Sequence, residues 1–234
     1  AVTNIDFEHP DYYPTPKAVQ QAFQAFLERS ASDGHLIMNR DDPYSISVAK
    51  YFERERSITW FSKKLRSRRA MLAKLLKVPG EHNVMNALAA WALTESLGVP
   101  ERTILAALRA FTGIWRRTEY KGFTHYGTHV TRVYDDYAHH PTELRAALQA
   151  MRASYPRAYR ICVCQPHDAH RLETLISEFA DSFTDAHALI LFPTYQPVGR
   201  EVGAERVTAE YLASVVARKY PKIAVSYLTD PSYL

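Results

Sequence analysis

The chain has 234 residues, 47% hydrophobic and 23% charged, with a formal net charge of +4. Those values are ordinary for one large or two modest globular domains with a real apolar core, and they exclude a low-complexity chain. The charge bias is mild and suits an anionic small molecule as well as nucleic acid.

No apolar run approaches the ~20 residues needed to cross a bilayer, and no secretory leader pattern is visible, so no membrane partner is expected. The two cysteines, Cys162 and Cys164, lie in "RICVCQ". Residues i and i+2 of a strand share a face, so these read as small apolar residues of a buried strand. A disulfide at that spacing would be strained, and the pair lacks partners for a metal site. A reduced, cytoplasmic setting is the default expectation. The chain opens on Ala1 and ends at "TDPSYL", and a fragment of a longer protein is expected.

In chain order, "AVTNI" reads as a short buried strand. "PTPKAVQQAFQAFLERS" reads as a helix, with Pro16 at its start and apolar residues at 19, 22, 23, 26 and 27. "DGHLIMNRDDP" reads as turn, strand and turn, "SISVAKYFER" as a helix and "SITWF" as a strand. A long helix is predicted between Gly80 and Gly98, and another over "ERTILAALRAF". "KKLRSRRAMLAKLLK", residues 63–77, is the one strongly basic run. It reads as a solvated helix face, since it has no interleaved aromatics on which bases could stack, and no nucleic-acid partner is expected.

The composition shifts at "FTGIWRRTEYKG", residues 111–122. Beyond it come strand "THVTRVYDDY", helix 141–154, strand "YRICVCQ", helix 171–183, strand "HALILFPTY", helix 204–219 and strand "KIAVSYL". These strands are continuous apolar runs of the kind found in parallel sheets. The alternation predicts an α/β architecture. A boundary near 112–116 gives domains 1–114 and 115–234, and no internal repeat is evident.

The densest chemistry is "VYDDYAHHPTEL", residues 133–144, at a strand-to-helix junction. In open α/β sheets ligands bind beyond the carboxyl ends of strands. Pro141 suits a first helical turn, and Glu143 complements the helix dipole. A carboxylate there can accept from ribose hydroxyls, and histidines at a helix N-terminus can address an anion. The bland reading is a structural turn with capping acids. Asn83 and Asn86, three apart on a helix, share a face, and an amide can match the N6 and N7 edge of adenine. The bland reading there is a cap and a helix surface. His167 and His170 form an H-x-x-H pair without a third ligand near in sequence, so no metal is expected on them.

"DDYAHHPTEL" resembles the D-D-Y-[GA]-H-H-P-T-E motif of the Mur ligases, ATP-dependent amide-bond ligases of peptidoglycan precursor synthesis. Further segments fall in family order: "TNIDFEHPDYY", "MNRDDP", "PGEHNVMNALAA", "GIWRRTEYKG" and "VCQPHDAHR". The resemblance covers nearly the whole chain. It implies part of a P-loop-type ATPase central domain followed by a Rossmann-like C-terminal domain with a mostly parallel sheet.

It further implies ATP and Mg2+ as cofactors, with UDP-N-acetylmuramate and L-alanine as substrates joined through an acyl phosphate. His9 would ligate the magnesium. His82, Asn83 and Asn86 would flank adenine, and Asp136 would hold the ribose. Arg117 would meet the terminal phosphates. Tyr137 and His139 would face the substrate and incoming amino acid, Arg171 the carboxylate region, and Asp135 would support the loop. Arg117 and His139 are the candidate catalytic pair.

Four positions depart from the family pattern. Glu8 stands for Asp, Glu81 for Arg, Thr118 for Phe and Asp168 for Arg. The last puts carboxylate binding by that loop in question. No G-x-x-x-x-G-K-[ST] occurs in the sequence. The family's phosphate loop lies before "TNI", so this polypeptide by itself is not expected to be a competent ligase. Residues 61–78 are also shorter than their family counterpart. Two other readings stand beside the alanine-adding one. A murein peptide ligase would take a tripeptide; it shares an alanine like Ala138 but lacks the Q-P-H found here at 165–167. The other is a non-catalytic nucleotide-binding module.

Overall fold

The computed structural model describes residues 1–195 and 207–230. The chain divides into two compact units, Ala1–Gly113 and Ile114–Leu234.

In the first unit, α1 (Pro16–Glu28) begins where extended Thr15 accepts the Ala18 amide on its hydroxyl, with proline in the first turn where its missing N–H is harmless. Then follow β1 (Leu36–Asn39), α2 (Pro43–Ala49), β2 (Ile58–Phe61), α3 (Arg66–Leu75), α4 (Glu81–Ser96) and α5 (Glu101–Ala110). Strands β1 and β2 pair in parallel, Leu36 against Ile58 through Asn39 against Phe61. The expected "AVTNI" strand contributes only a single bridge, Val2 to Met38. Beyond it the Ile5 amide turns to the Asp42 carboxylate at 2.8 Å, which also caps α2.

Side chains alternate across β1. Ile37 packs with Phe61, Leu72, Leu88, Trp91 and Ile104, while Leu36 and Met38 pack with Val19, Leu27, Val48 and Phe52. Both faces are covered, which is why "LIM" reads as an unbroken apolar run. The basic run forms α3 and buries only Leu72. Its Arg68 forks onto Glu95 at 2.9 and 2.8 Å and lies 4.7 Å over the Trp91 ring.

In the second unit, β3 (Glu119–Tyr126) and β4 (His129–Asp135) form an antiparallel hairpin with a bulge at Tyr120/Gly122. Only the second of these strands was expected from sequence. Helix α6 (Pro141–Ser154) follows, then β5 (Ile161–Cys164), α7 (Ala169–Thr174), α8 (Ile176–Ser182), β6 (Ala188–Leu191), α9 (Ala209–Lys219) and β7 (Ala224–Tyr227). The expected helix 171–183 is two helices, broken where Leu175 leaves helical geometry (φ −115°, ψ 26°). Residues 204–206 of the expected helix 204–219 lie outside the described residues. Within them, α9 is capped by Thr208, whose hydroxyl accepts the Tyr211 amide at 3.1 Å.

Strands β5, β6 and β7 form a parallel sheet in that order. Leu172, Phe179, Phe183, Leu189, Leu191, Leu212 and Val216 are fully buried. Cys162 and Cys164 pair with Leu189 and Leu191, so both thiols share the face of those leucines, Cys164 buried and Cys162 half-buried. Ile161 and Val163, on the opposite face, are exposed. Among the described residues, no helix is long and apolar enough to cross a membrane.

Candidate functional site

The loop after β4 is laced to the turn before β3. Asp136 Oδ2 accepts both the Thr118 amide and the Thr118 hydroxyl at 2.8 Å, and Oδ1 accepts the Ala138 amide at 2.8 Å. The Tyr137 amide donates to the Arg116 carbonyl at 2.8 Å. Arg116 pairs with Asp135 at 3.3 Å and lies 4.8 Å over the Tyr137 ring. These contacts hold Arg116 (φ 53°) and Thr118 (φ 50°) in the left-handed region, which costs a non-glycine residue roughly 1–2 kcal/mol. Asp136, expected at a ribose, thus spends three of its ~four acceptor directions on the loop, leaving one for a ligand hydroxyl. Asp135 supports the loop as expected.

Helix α6 begins with a capping box. The His140 ring accepts the Thr142 amide at 3.3 Å, and Glu143 Oε2 accepts the His139 and His140 amides at 3.1 and 3.3 Å. The other Glu143 oxygen accepts Arg117 Nη1 at 3.0 Å. Burial pushes the Glu143 carboxyl up, but the His139 amide, the Arg117 guanidinium and the nearby His139 ring hold it below its ordinary value. His139 Nδ1 lies 2.7 Å from the Tyr137 carbonyl and 3.6 Å from Glu143 Oε2. Sequence reasoning saw in Glu143 only a helix-dipole partner. In the structure it ties the two candidate catalytic residues, Arg117 and His139, to one carboxylate.

The loops after β4, β5 and β6 meet in a row of rings. Tyr137 to His139 is 5.0 Å, His139 to His167 5.4 Å, and His167 to Tyr195 5.3 Å between centroids. Tyr195 had no motif to mark it. It is fastened by backbone, its amide donating to the Pro166 carbonyl at 2.8 Å and its carbonyl accepting the Asp168 amide at 2.9 Å. A cavity of about 1370 Å³ is lined by Asp136, Tyr137, His139, His167 and Tyr195, and also by Tyr134. Burial, reinforced by a hydroxyl contact with Tyr155, pushes the Tyr134 phenol up to about 12.

Arg171 was expected at a substrate carboxylate. It is only 1% exposed, and its Nη1 donates to the His167 carbonyl at 3.0 Å and to His167 Nδ1 at 3.3 Å. The guanidinium therefore braces His167. Asp168, buried and at φ 72°, caps α7 by accepting the His170 and Arg171 amides at 2.9 and 3.5 Å.

In the first unit, the candidate adenine residues lie on α4. His82 is half-buried and Asn86 exposed, while Asn83 donates from Nδ2 to the Pro79 carbonyl at 2.6 Å. His9 is exposed at φ 53°, its Nδ1 4.0 Å from Asp11 Oδ1. Among the described residues, no group of three or more His, Cys, Asp or Glu is placed to hold a metal.

Each departure from the family pattern has a local partner. Glu8 accepts the His9 amide at 2.9 Å. Glu81 takes the Arg69 fork at 2.5 and 2.9 Å. Thr118 supplies the hydroxyl on Asp136, and Asp168 is a cap. The non-glycine residues at positive φ among those described are His9, Arg116, Thr118 and Asp168. All lie in the motif loops, where backbone strain tends to be stored.

Comparison with known proteins agrees with these motifs. The Mur ligase middle domain matches residues 1–94, and the Mur ligase glutamate ligase domain matches residues 116–231. The chain is 35% identical over 239 residues to a UDP-N-acetylmuramate–L-alanine ligase of Renibacterium salmoninarum, covering 93% of this chain and 50% of that protein. It is 34% identical over 261 residues to the protein of that name from Brucella ovis, covering 100% and 54%. The chain thus spans about half the length of these curated relatives.

Among solved structures, MurF from Acinetobacter baumannii superposes with a TM-score of 0.68 at 18% identity, covering 97% of this chain and 49% of that one. UDP-N-acetylmuramate–alanine ligase MurC from Thermotoga maritima gives 0.55 at 20%, covering 88% and 53%. A murein peptide ligase from Psychrobacter arcticus gives 0.62 at 21%, covering 98% and 49%. At these identities the superpositions speak to the fold. By its two domain matches, its motifs and its α/β fold, the chain belongs to the Mur ligase family.

Proposed function

We propose that this chain is the nucleotide- and acceptor-handling portion of an ATP-dependent, ADP-forming ligase that adds L-alanine to UDP-N-acetylmuramate in the cytoplasm. The observation that carries the reading is the convergence of Arg117, Glu143, His139 and His167 at the carboxyl ends of β4 and β5, on the segment that resembles the Mur ligase signature. The sequence holds no G-x-x-x-x-G-K-[ST], so ligation is proposed for a polypeptide that supplies one.

In this reading the substrate carboxylate attacks the γ-phosphate of ATP, and the amine of L-alanine displaces phosphate from the resulting acyl phosphate. Catalysis is positioning and charge stabilisation. Asn86 and Asn83 offer amides to adenine beside His82. Asp136 offers its remaining acceptor direction to the ribose. Arg117, held by Glu143, offers a fork of donors to the terminal phosphates. Tyr137 and His139 face the amino acid, and Arg171 serves the carboxylate region through His167.

Magnesium, when bound, would offset the repulsion between anions. It keeps water and phosphate oxygens and takes few protein ligands, oxygens by preference, so His9 is assigned to it on the motif resemblance alone, with the Asp11 carboxylate 4.0 Å from its ring.

The test is phosphate release by the complete open reading frame, expected to require both UDP-N-acetylmuramate and L-alanine. Release with a tripeptide but not with L-alanine would move the substrate to that of a murein peptide ligase. Release with neither would leave a nucleotide-binding module, a reading favoured by the commitment of Asp168 to a helix cap.

A further inference from the structure

The cavity of the second unit has two ends. The carboxyl end carries the row of rings from Tyr137 to Tyr195. The amino end is walled by Arg132, Tyr155, Tyr159 and Arg160, none of which the ligase reading uses. Arg132 precedes Asp135 by three residues on β4, roughly 10 Å at ~3.3 Å per residue. At about 1370 Å³, the cavity exceeds the ~300–1,000 Å³ of an ordinary small-molecule pocket, so a second ligand has room there.

Both arginines have donors to spare. Arg160 is locked from one side: its Nε donates to the Asp185 carbonyl at 2.7 Å, and its Nη1 to the Ala158 and Tyr155 carbonyls at 3.0 and 3.4 Å. Of its five guanidinium hydrogens, the two on Nη2 meet no partner among the described residues. Arg132 lies over the Tyr155 ring at 5.4 Å and makes no hydrogen bond or ion pair among the described residues. Since one arginine contacts Tyr155 at its ring and the other at its carbonyl, one small ligand can span them.

No carboxylate answers this pair. Among the described residues, the acids on the cavity wall are Asp135 and Asp136, committed to Arg116 and to the groups of Thr118 and Ala138. Asp185, behind Arg160, gives its carboxylate to Arg152 at 2.6 Å. The remaining wall is aromatic. The hydroxyls of Tyr134 and Tyr155 meet; one donates to the other, and the accepting phenol keeps its own hydrogen to give. Tyr159 stacks on His187 at 4.9 Å and is 65% exposed, so the other face of its ring is open.

We propose that the amino end of the cavity is a second binding site, for a flat ring bearing an oxyanion, that is, an aryl phosphate or aryl carboxylate. Arg132 and Arg160 Nη2 address the anion's oxygens, a task that suits planar guanidinium donors, while the ring lies against Tyr155 and Tyr159. The site stands apart from the ligase reading, and no bond is made or broken in it.

The test is titration of the whole 15N-labelled chain with phenyl phosphate and with benzoate, with inorganic phosphate and phenol as controls for the anion alone and the ring alone. At least one of the two ring anions should bind saturably and more tightly than either control. Amide shifts should gather at 132, 155 and 159–161 and spare Tyr137, His139 and His167. Arg132→Gln, at an exposed position, should leave folding intact and weaken binding about 10–100-fold, the range for a hydrogen bond to a charged group. Arg152→Gln removes the same charge from a residue off the cavity wall and should change binding by under ~3-fold. Absence of saturable binding by either ring anion overturns the site. So do shifts centred on His139 and His167, or equal losses in Arg132→Gln and Arg152→Gln, which reduce the effect to bulk charge. The tighter of the two ring anions names the oxyanion the site prefers.

Discussion

Asn86 stands exposed on a regular helix whose opposite side fills a core, and removing its amide leaves that helix its own hydrogen bonds, while Asn83 on the same helix is tied to the Pro79 carbonyl. Thr118 and Asp136 stand on loops that side chains hold in shape, with Arg116 and Thr118 at positive φ, and Glu143 fastens the same loop from the first turn of α6. The first region separates ligand recognition from folding. The second merges them, since the groups offered as ligand contacts are also the fasteners of their own backbone.

The largest effect expected from that contrast is at Asp136. Asp136→Ala orphans the Thr118 amide and hydroxyl and the Ala138 amide, and should destabilise the second unit by roughly 2–4 kcal/mol, read as a shift of the urea midpoint. A midpoint equal to the parent's would break the contrast. On the proposed function it also weakens ATP binding more than sugar binding.

Glu143 comes next. Its folded carboxyl lies below the ordinary 4.5, so its stabilisation is present above the unfolded value and is lost as pH falls from about there through the folded one. Glu143→Gln should flatten that acid limb and cost about 1 kcal/mol at neutral pH, a modest figure because the carboxylate is a third exposed. An unchanged acid limb would remove Glu143 from the centre of the loop.

Asn83→Ala loses the bond to the Pro79 carbonyl and should cost about 1 kcal/mol in thermal or urea unfolding. Asn86→Ala should change stability by under ~0.5 kcal/mol while relaxing the preference for adenine over guanine nucleotides in the complete enzyme. If stability moved and base preference did not, Asn86 would belong with the fasteners.

Much of this was legible from residue order. Helices α1 and α6 announced themselves through their caps and prolines and an apolar period, α4 through the glycines that flank it, and β5, β6 and β7 through apolar runs. Strand β3 was not legible, because "EYKGFTHY" carries Gly122 at the bulge and exposes Phe123, so no one-sided alternation survives. The break at Leu175 has no glycine or proline to mark it. Around the site, the motif flagged Asp136, His139 and Arg117, since those side chains share one short segment or a familiar neighbour. What residue order could not convey is direction. That Arg171 points inward beneath His167, that Tyr195 arrives from the next strand, and that Glu143 serves both Arg117 and His139 are facts of tertiary placement.

The two thiols of β5 have a practical side. Burial pushes Cys162 up to about 12, and Cys164 well above its ordinary value. At pH 7 a thiol titrating there is ionised to the extent of about one part in 10⁵, and only the thiolate reacts with alkylating agents or disulfides. A probe cysteine introduced at the exposed hairpin tip, for instance Thr128→Cys, should therefore be labelled by maleimide while both native thiols stay silent, giving a single-dye handle without first deleting them. Mass spectrometry of the labelled chain should show one adduct.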